Sequence, residues 1–255
     1  PIMKLNYIDQ GTGQPIVLLH GMFGSLSNLG NIARELATGY RVISADLRNH
    51  GDSPHEQEMD IPCMADDIIE LLDDLGLPSA SLIGHSLGGK IGMQVALNYP
   101  SRITKLVVAD IAPVAYIPRQ DAAFNGLRTL SGLEISSRGQ ADTAMTAHVS
   151  ESQTRSFLLK NLMRKDDGSY CFKINMSSII ENYESTLVAA PEGNPYLGPT
   201  LFLKGETSAY IQTKHQSRMI ELFPNMKLDI IKDVGHWLHA ENPVEFNQRV
   251  TDFLI

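Results

Sequence analysis

Cysteine is scarce. Only Cys63 and Cys171 occur in 255 residues, too few for a disulfide framework. Neither has a partner at a motif spacing, so both read as buried free thiols. Positive charge is also short: Lys+Arg number 21 against Asp+Glu 29, a formal net charge of −8. Such a chain lacks the basic stripe that nucleic acid needs, and no nucleic-acid partner is expected. No apolar run approaches the roughly 18 residues of a membrane span. The opening Pro1–Asn6 has no charged stretch leading into an apolar one, so no signal peptide is read and a cytoplasmic location is expected. Repeats and low-complexity tracts are missing too, which excludes collagen, coiled coil and disorder. What is present is a 43% hydrophobic chain, enough for one large domain or one domain with an insertion. The acidic balance promotes solubility and says little about substrate.

Short apolar runs closed by Gly or polar residues read as strands buried on both faces. They fall at Pro15–His20, Arg41–Asp46, Ala80–Gly84, Ile103–Ala109, Pro199–Gly205 and Lys227–Lys232. Helical patterns lie between and after them. Met64–Leu75 puts Met64, Ile68, Leu71, Leu72 and Leu75 on one face, with Gly76 and Pro78 closing it. Further helices are read at Gly89–Asn98, Gln212–Phe223 and Val244–Leu254. Alternating strand and helix predicts an α/β fold with a mostly parallel sheet and helices on both faces. The rhythm breaks from Val114 to Glu192, where Leu, Met, Phe and Ala recur at helical spacing and Tyr170–Ile174 reads as a short hairpin arm. The expected division is a core of residues 1–113 and 193–255 with a mainly helical cap, 114–192, inserted into it.

Gly84-His-Ser86-Leu-Gly88 matches G-x-S-x-G between a strand and a helix. A serine there sits on a sharp turn with its hydroxyl above the sheet, beside a helix N-terminus that favours negative charge. His20-Gly-Met-Phe-Gly24 follows the first buried strand. Its glycine-lined loop can offer the Met22 N–H to an oxyanion, with the Leu87 N–H as second donor. The alternatives are an ordinary βα turn for Ser86 and a plain glycine turn for His20.

Eight histidines compete for the role of base. In the chain order Ser, acid, His, the choice narrows to His148, His215, His236 and His239. His236 follows a strand through Gly235 and can reach Ser86. His239 reads as structural, and His148 and His215 as surface or cap residues. A His236/His239 metal pair has no apparent third ligand, so no metal is expected. The usual acid position, after the strand preceding the base, lies in Gly205–Tyr210 and holds Ser208. Asp110 leaves the strand after the nucleophile helix on the same sheet edge as Ser86 and can orient an imidazole. Asp110 is therefore the expected acid and Glu206 the alternative, with Ser208 in support and Asp233 as a surface charge. Asp46 and Arg48 read as braces of their loop, and His50 as part of the pocket mouth, with His20 supporting. Phe23, Phe124, Leu127, Leu130 and Trp237 are the candidate pocket residues, core packing within the cap being the alternative for the middle three.

Together these motifs resemble the α/β-hydrolase superfamily. They are His20–Gly24, Asp46–Ser53, Gly84–Lys90, Phe202–Gly205 and Val234–His239. Arg48-Asn-His-Gly51, Gly88-Gly-Lys90 and Asp110-Ile-Ala-Pro113 are similar to the YbfF-type bacterial esterases and their mitochondrial abhydrolase relatives. The resemblance implies serine hydrolysis of carboxylic esters, with acyl-CoA thioesters as a second substrate class, no cofactor, and a displaced acid at Asp110. A small-molecule ester or thioester is the expected partner, and monomer or small homo-oligomer stays open. Also open are a cofactor-free carbon–carbon bond hydrolase, a perhydrolase and a ligand-binding protein of low turnover, since fold alone does not separate these.

Overall fold

Strands whose alternate residues must all be buried need a layer on each side, and the chain supplies both. The computed structural model describes residues 3–119 and 122–255. Pro1 and Ile2, at the start of the expected leader-free N-terminus, lie outside these, as do Gln120 and Asp121 within the expected cap. In chain order the first half runs β1 (Tyr7–Gln10), β2 (Pro15–Leu19), α1 (Gly30–Leu36), β3 (Arg41–Ala45), α2 (Ile61–Asp74), β4 (Ala80–His85), α3 (Leu87–Asn98) and β5 (Ile103–Ala109). The rhythm returns with β8 (Thr200–Gly205), α8 (Gln216–Leu222), β9 (Met226–Ile231), α9 (Leu238–Glu241) and α10 (Pro243–Leu254). Between lie α4 (Ala122–Ser131), α5 (Arg138–Met145), α6 (Ser152–Leu159), the hairpin β6 (Leu162–Arg164) and β7 (Tyr170–Phe172), and α7 (Met176–Asn182) leading into a π-helical turn at Tyr183–Leu187.

The seven-stranded sheet has the order β1-β3-β2-β4-β5-β8-β9. All pairings are parallel except that of β1 with β3. Successive residues of each strand enter opposite layers, as the pleat requires. Val17, Leu19, Leu82, Leu106 and Val108 pack with α2, α3 and the segment after β5 in one apolar cluster. Ile16, Leu18, Ile83, Val107 and Ala109 pack with α1, α9 and α10 in the other.

Several local expectations need correction. The helix read at Gln212–Phe223 is a 3-10 turn, Thr213–His215, followed by α8. His215 is buried rather than at the surface, because its Nδ1 accepts the Gln212 N–H at 3.0 Å and closes that turn. Cys63 and Cys171 are half-buried, not fully buried. Cys63 sits in the first turn of α2, where Asp60 accepts its N–H as N-cap. β1 and α1 have no counterpart in the pattern reading. β1 is an exposed antiparallel edge of four residues, and α1 is only seven long. Among the described residues no helix is long and apolar enough to cross a membrane.

Candidate active site

Ser86 stands between β4 and α3 at φ +54, ψ −119, a backbone that L-residues seldom adopt. The turn is possible because a Cβ on Gly84 would lie 2.2 Å from the Gly88 carbonyl oxygen, and one on Gly88 2.3 Å from that of Leu19. Glycine is the only residue that fits at either place. The Ser86 N–H donates to the Ala109 carbonyl at 3.0 Å, which ties the serine to the end of β5.

His236 lies on the loop after β9. Its Nε2 is 3.0 Å from Ser86 Oγ and its Nδ1 2.7 Å from Asp110 Oδ2. Asp110 is fully buried at the end of β5. Its Oδ1 accepts the Gly205 N–H at 3.1 Å, and its Oδ2 accepts the Ser208 hydroxyl as well as the imidazole. Ser208, in the loop after β8, therefore serves the carboxylate instead of replacing it. Glu206 is exposed and accepts the Asp233 N–H at 3.1 Å. It has no place beside His236, and Asp233 is the exposed residue expected.

The base is held by groups that sequence reading missed. Tyr210 stacks on the His236 ring at 4.1 Å and 25°. Tyr116 Oη accepts the Ala112 N–H and donates to the Tyr210 carbonyl, at 2.9 and 2.6 Å. His85 Nε2 donates to the His236 carbonyl at 2.8 Å. His85 is buried, and desolvation holds its pKa well below the usual 6.5. His239 packs on His85 with centroids 4.4 Å apart, and burial lowers its pKa to about 4. The His85 ring thus lies against both His236, at 4.9 Å between centroids, and His239. Among the described residues no group of three or more His, Cys, Asp or Glu could hold a metal ion.

Leu87 is the first residue of α3, so its N–H has no intrahelical acceptor. The Met22 N–H, on the loop after β2, has no acceptor among the described residues. Below this loop His20 and His50 meet edge to face with centroids 5.1 Å apart. His20 Nδ1 donates to the Gly21 carbonyl and its Nε2 accepts the Leu47 N–H, at 2.7 and 3.0 Å. His50 does not line the pocket mouth. It is fully buried, and its Nε2 accepts the Phe23 N–H at 3.0 Å. Asp46 accepts N–H groups from Leu26 and Asp52, and Arg48 pairs with Asp67 through two contacts of 2.7 Å. Both brace the loop after β3.

A cavity of about 320 Å³ opens between these loops and the segment after β5, lined in part by Phe23, Phe157, Asn161, Lys160 and Lys173. Its lining stops short of Ser86. Trp237 packs on Phe157 at 4.5 Å, joining the loop of the base to the cavity wall. Leu127 and Leu130, expected in the pocket, keep 0% and 1% of their surface exposed and belong to the apolar core. Phe124 is likewise buried there, between Phe23 and Tyr183. Their helical spacing follows from packing in the core.

Residues 14–243 match the family described as alpha/beta hydrolase fold, and the chain belongs to that family. It is 37% identical over 247 residues to the esterase YbfF of Escherichia coli K12, covering 94% of this chain and 95% of that protein. It is 36% identical over 263 residues to the mouse sn-1-specific diacylglycerol lipase ABHD11, covering 99% and 85%. The solved structure of a marine microorganism esterase superposes with a TM-score of 0.93 at 38% identity, covering 98% of this chain and 99% of that one.

Proposed function

We propose that this protein hydrolyses carboxylic esters through Ser86 as nucleophile, His236 as general base and Asp110 as the orienting acid. The observation that carries the reading is the unbroken hydrogen-bond chain from Ser86 Oγ through both ring nitrogens of His236 to the buried Asp110. Relatives named esterase and lipase point to the same substrate class. Asp110 accepts the Nδ1–H, which leaves the Nε2 lone pair facing the serine hydroxyl. His236 takes that proton as Oγ attacks the acyl carbonyl carbon, and the oxyanion is received by the Met22 and Leu87 N–H groups. The imidazolium then protonates the leaving alkoxide. Water, deprotonated by the same nitrogen, attacks the acyl-enzyme and releases the acid.

Acyl-CoA thioesters are the second substrate class. Lys160 and Lys173 bring two cations to the cavity, although Lys173 is already 3.2 Å from Asp52. The segment 114–192 acts as a cap over the site. Turnover of p-nitrophenyl esters of graded chain length beside a panel of acyl-CoAs, by wild type and Ser86→Ala, tests the reading. Ester turnover abolished by Ser86→Ala is expected. Turnover that survives the substitution, or is absent from the wild type, contradicts it.

A further inference from the structure

The Gly24 N–H donates to the Gly21 carbonyl at 3.1 Å, so Met22 and Phe23 are the central residues of a β-turn. Phe23 holds φ +66. The third residue of a type II turn takes that conformation, and glycine normally supplies it. A buried phenylalanine persists there only where its surroundings hold it.

Both peptide groups flanking Phe23 are held. Its N–H donates to His50 Nε2 at 3.0 Å, and its carbonyl accepts Asn161 Nδ2–H at 2.8 Å. The holders come from different parts of the chain. His50 sits on the loop after β3, and Asn161 lies just past α6 in the segment between β5 and β8. His50 Nδ1 donates to the Arg48 carbonyl at 3.0 Å, which leaves Nε2 as the acceptor, and burial pushes its pKa down to about 3. Asn161 is 4% exposed, and its own carbonyl accepts the Lys173 N–H at 2.8 Å. With the Phe23 N–H taken by His50 and the Gly24 N–H by the Gly21 carbonyl, the neighbouring Met22 N–H has no acceptor among the described residues.

We infer that His50 and Asn161 are positioning residues that clamp the turn around Phe23, so that the seating of residues 114–192 on the sheet sets the aim of the Met22 N–H at the oxyanion. This rests on the reading of Met22 and Leu87 as oxyanion donors. His50 is fully buried, and Asn161, which also lines the cavity, acts on the turn through the Phe23 carbonyl. The clamp acts on the charge that develops in the transition state, and leaves ground-state binding alone.

The test compares wild type with Asn161→Ala and with Asn161→Asp, which keeps the shape but cannot donate when ionised. Asn182→Ala is the control, since Asn182 Nδ2 donates to the Gln57 carbonyl at 2.9 Å and so joins the same segment to the core elsewhere. Steady-state hydrolysis of p-nitrophenyl butyrate is measured beside inhibition by butylboronic acid, a tetrahedral mimic. Both Asn161 variants are expected to lose about 10- to 100-fold in kcat and a similar factor in boronate affinity, with KM moving less than about threefold. Asn182→Ala is expected to keep both within about twofold of wild type, an order-of-magnitude allowance. His50→Gln, whose amide oxygen can accept the Phe23 N–H, is expected to retain more kcat than His50→Leu. Asn161 variants that keep kcat and boronate affinity, or that change KM alone, overturn the clamp. So does an Asn182→Ala loss as large as that of Asn161→Ala. Hydrolysis surviving Ser86→Ala removes instead the reading of the site beneath it.

Discussion

Asp110 carries φ +57, as Ser86 carries +54 and Phe23 +66. Five non-glycine residues among those described have positive φ; Asn49 and Asp233 lie in loops, and the other three stand where the proposed chemistry needs a side chain or an N–H aimed out of a strand end. Such strain persists where the fold over-determines it, and Asp110 is fixed by the Gly205 N–H, Ser208 and His236 together. Asp110→Asn is expected to lower kcat by about 10⁴-fold, as loss of the orienting carboxylate does in such triads. Glu206→Gln should stay within a few-fold of wild type. The reverse order in a kinetic comparison contradicts the assignment. Both candidates are visible in the sequence, and the sheet edge that Asp110 shares with Ser86 distinguishes it. Tyr210 was not legible, because stacking on His236 depends on a loop path that leaves no periodic trace. Asn161, and the hold of His50 on Phe23 as against the pocket-mouth place expected for it, were beyond pattern reading for the same reason: the partner is a peptide group, and any sequence supplies one.

Buried histidines give the site region an acid limit. His20 and His239 are lowered to about 4 and His50 to about 3, in each case chiefly by burial. Above the ordinary 6.5 these groups are neutral whether the chain is folded or not. Below it the unfolded chain takes up protons that the native state refuses, so stability falls with pH from about 6.5 towards the folded values. Thermal unfolding midpoints measured from pH 8 to pH 4 should drop below pH 6.5, and a flat profile contradicts this.

Among the elements, α3 joins the site to the stretch between β5 and β8. Lys90 is 2% exposed, with its Nζ 3.2 Å from the Leu187 carbonyl and 5.0 Å over the Tyr116 ring. Desolvation lowers its pKa to about 7 from 10.5. Above pH 10.5 folded and unfolded chains both hold it neutral. Between 10.5 and 7 only the unfolded chain gains the proton, so this residue takes stability away as pH falls through that window. Lys90→Met should therefore raise the unfolding midpoint relative to wild type more at pH 7 than at pH 10. An equal shift at both contradicts the burial argument. α2 and α3 were legible to within three residues at either end because a stop signal follows each, Gly76 and Pro78 after α2 and Pro100 after α3. β1 was not, since its pattern is exposed almost throughout, and an edge strand of that kind has no buried alternation to read.

At the scale of the molecule, charge is unevenly placed. Residues 114–192 carry eight Lys/Arg and nine Asp/Glu, and the rest carries thirteen and twenty. The negative charge therefore belongs to the sheet and its helices, while residues 114–192 are nearly neutral. One apolar cluster runs from the sheet through α2 and α3 into that segment, including Leu127, Leu130 and Ile179. The segment is thus packed on the core by apolar burial, and Asn161 adds a polar contact to the loop beside the nucleophile. The alternation of buried runs and helices identified the sheet from sequence alone. The fit of the segment to the sheet was not readable, because it rests on side-chain complementarity between stretches far apart in the chain, such as Lys90 and Leu187.

The most direct test of the central claim is labelling with a fluorophosphonate, followed by mass mapping of the modified peptide, alongside ester turnover. A single adduct on Ser86 that forms as turnover is lost, and that Asp110→Asn and His236→Ala slow sharply, is the predicted result. No adduct, or an adduct on another residue with turnover intact, would contradict it.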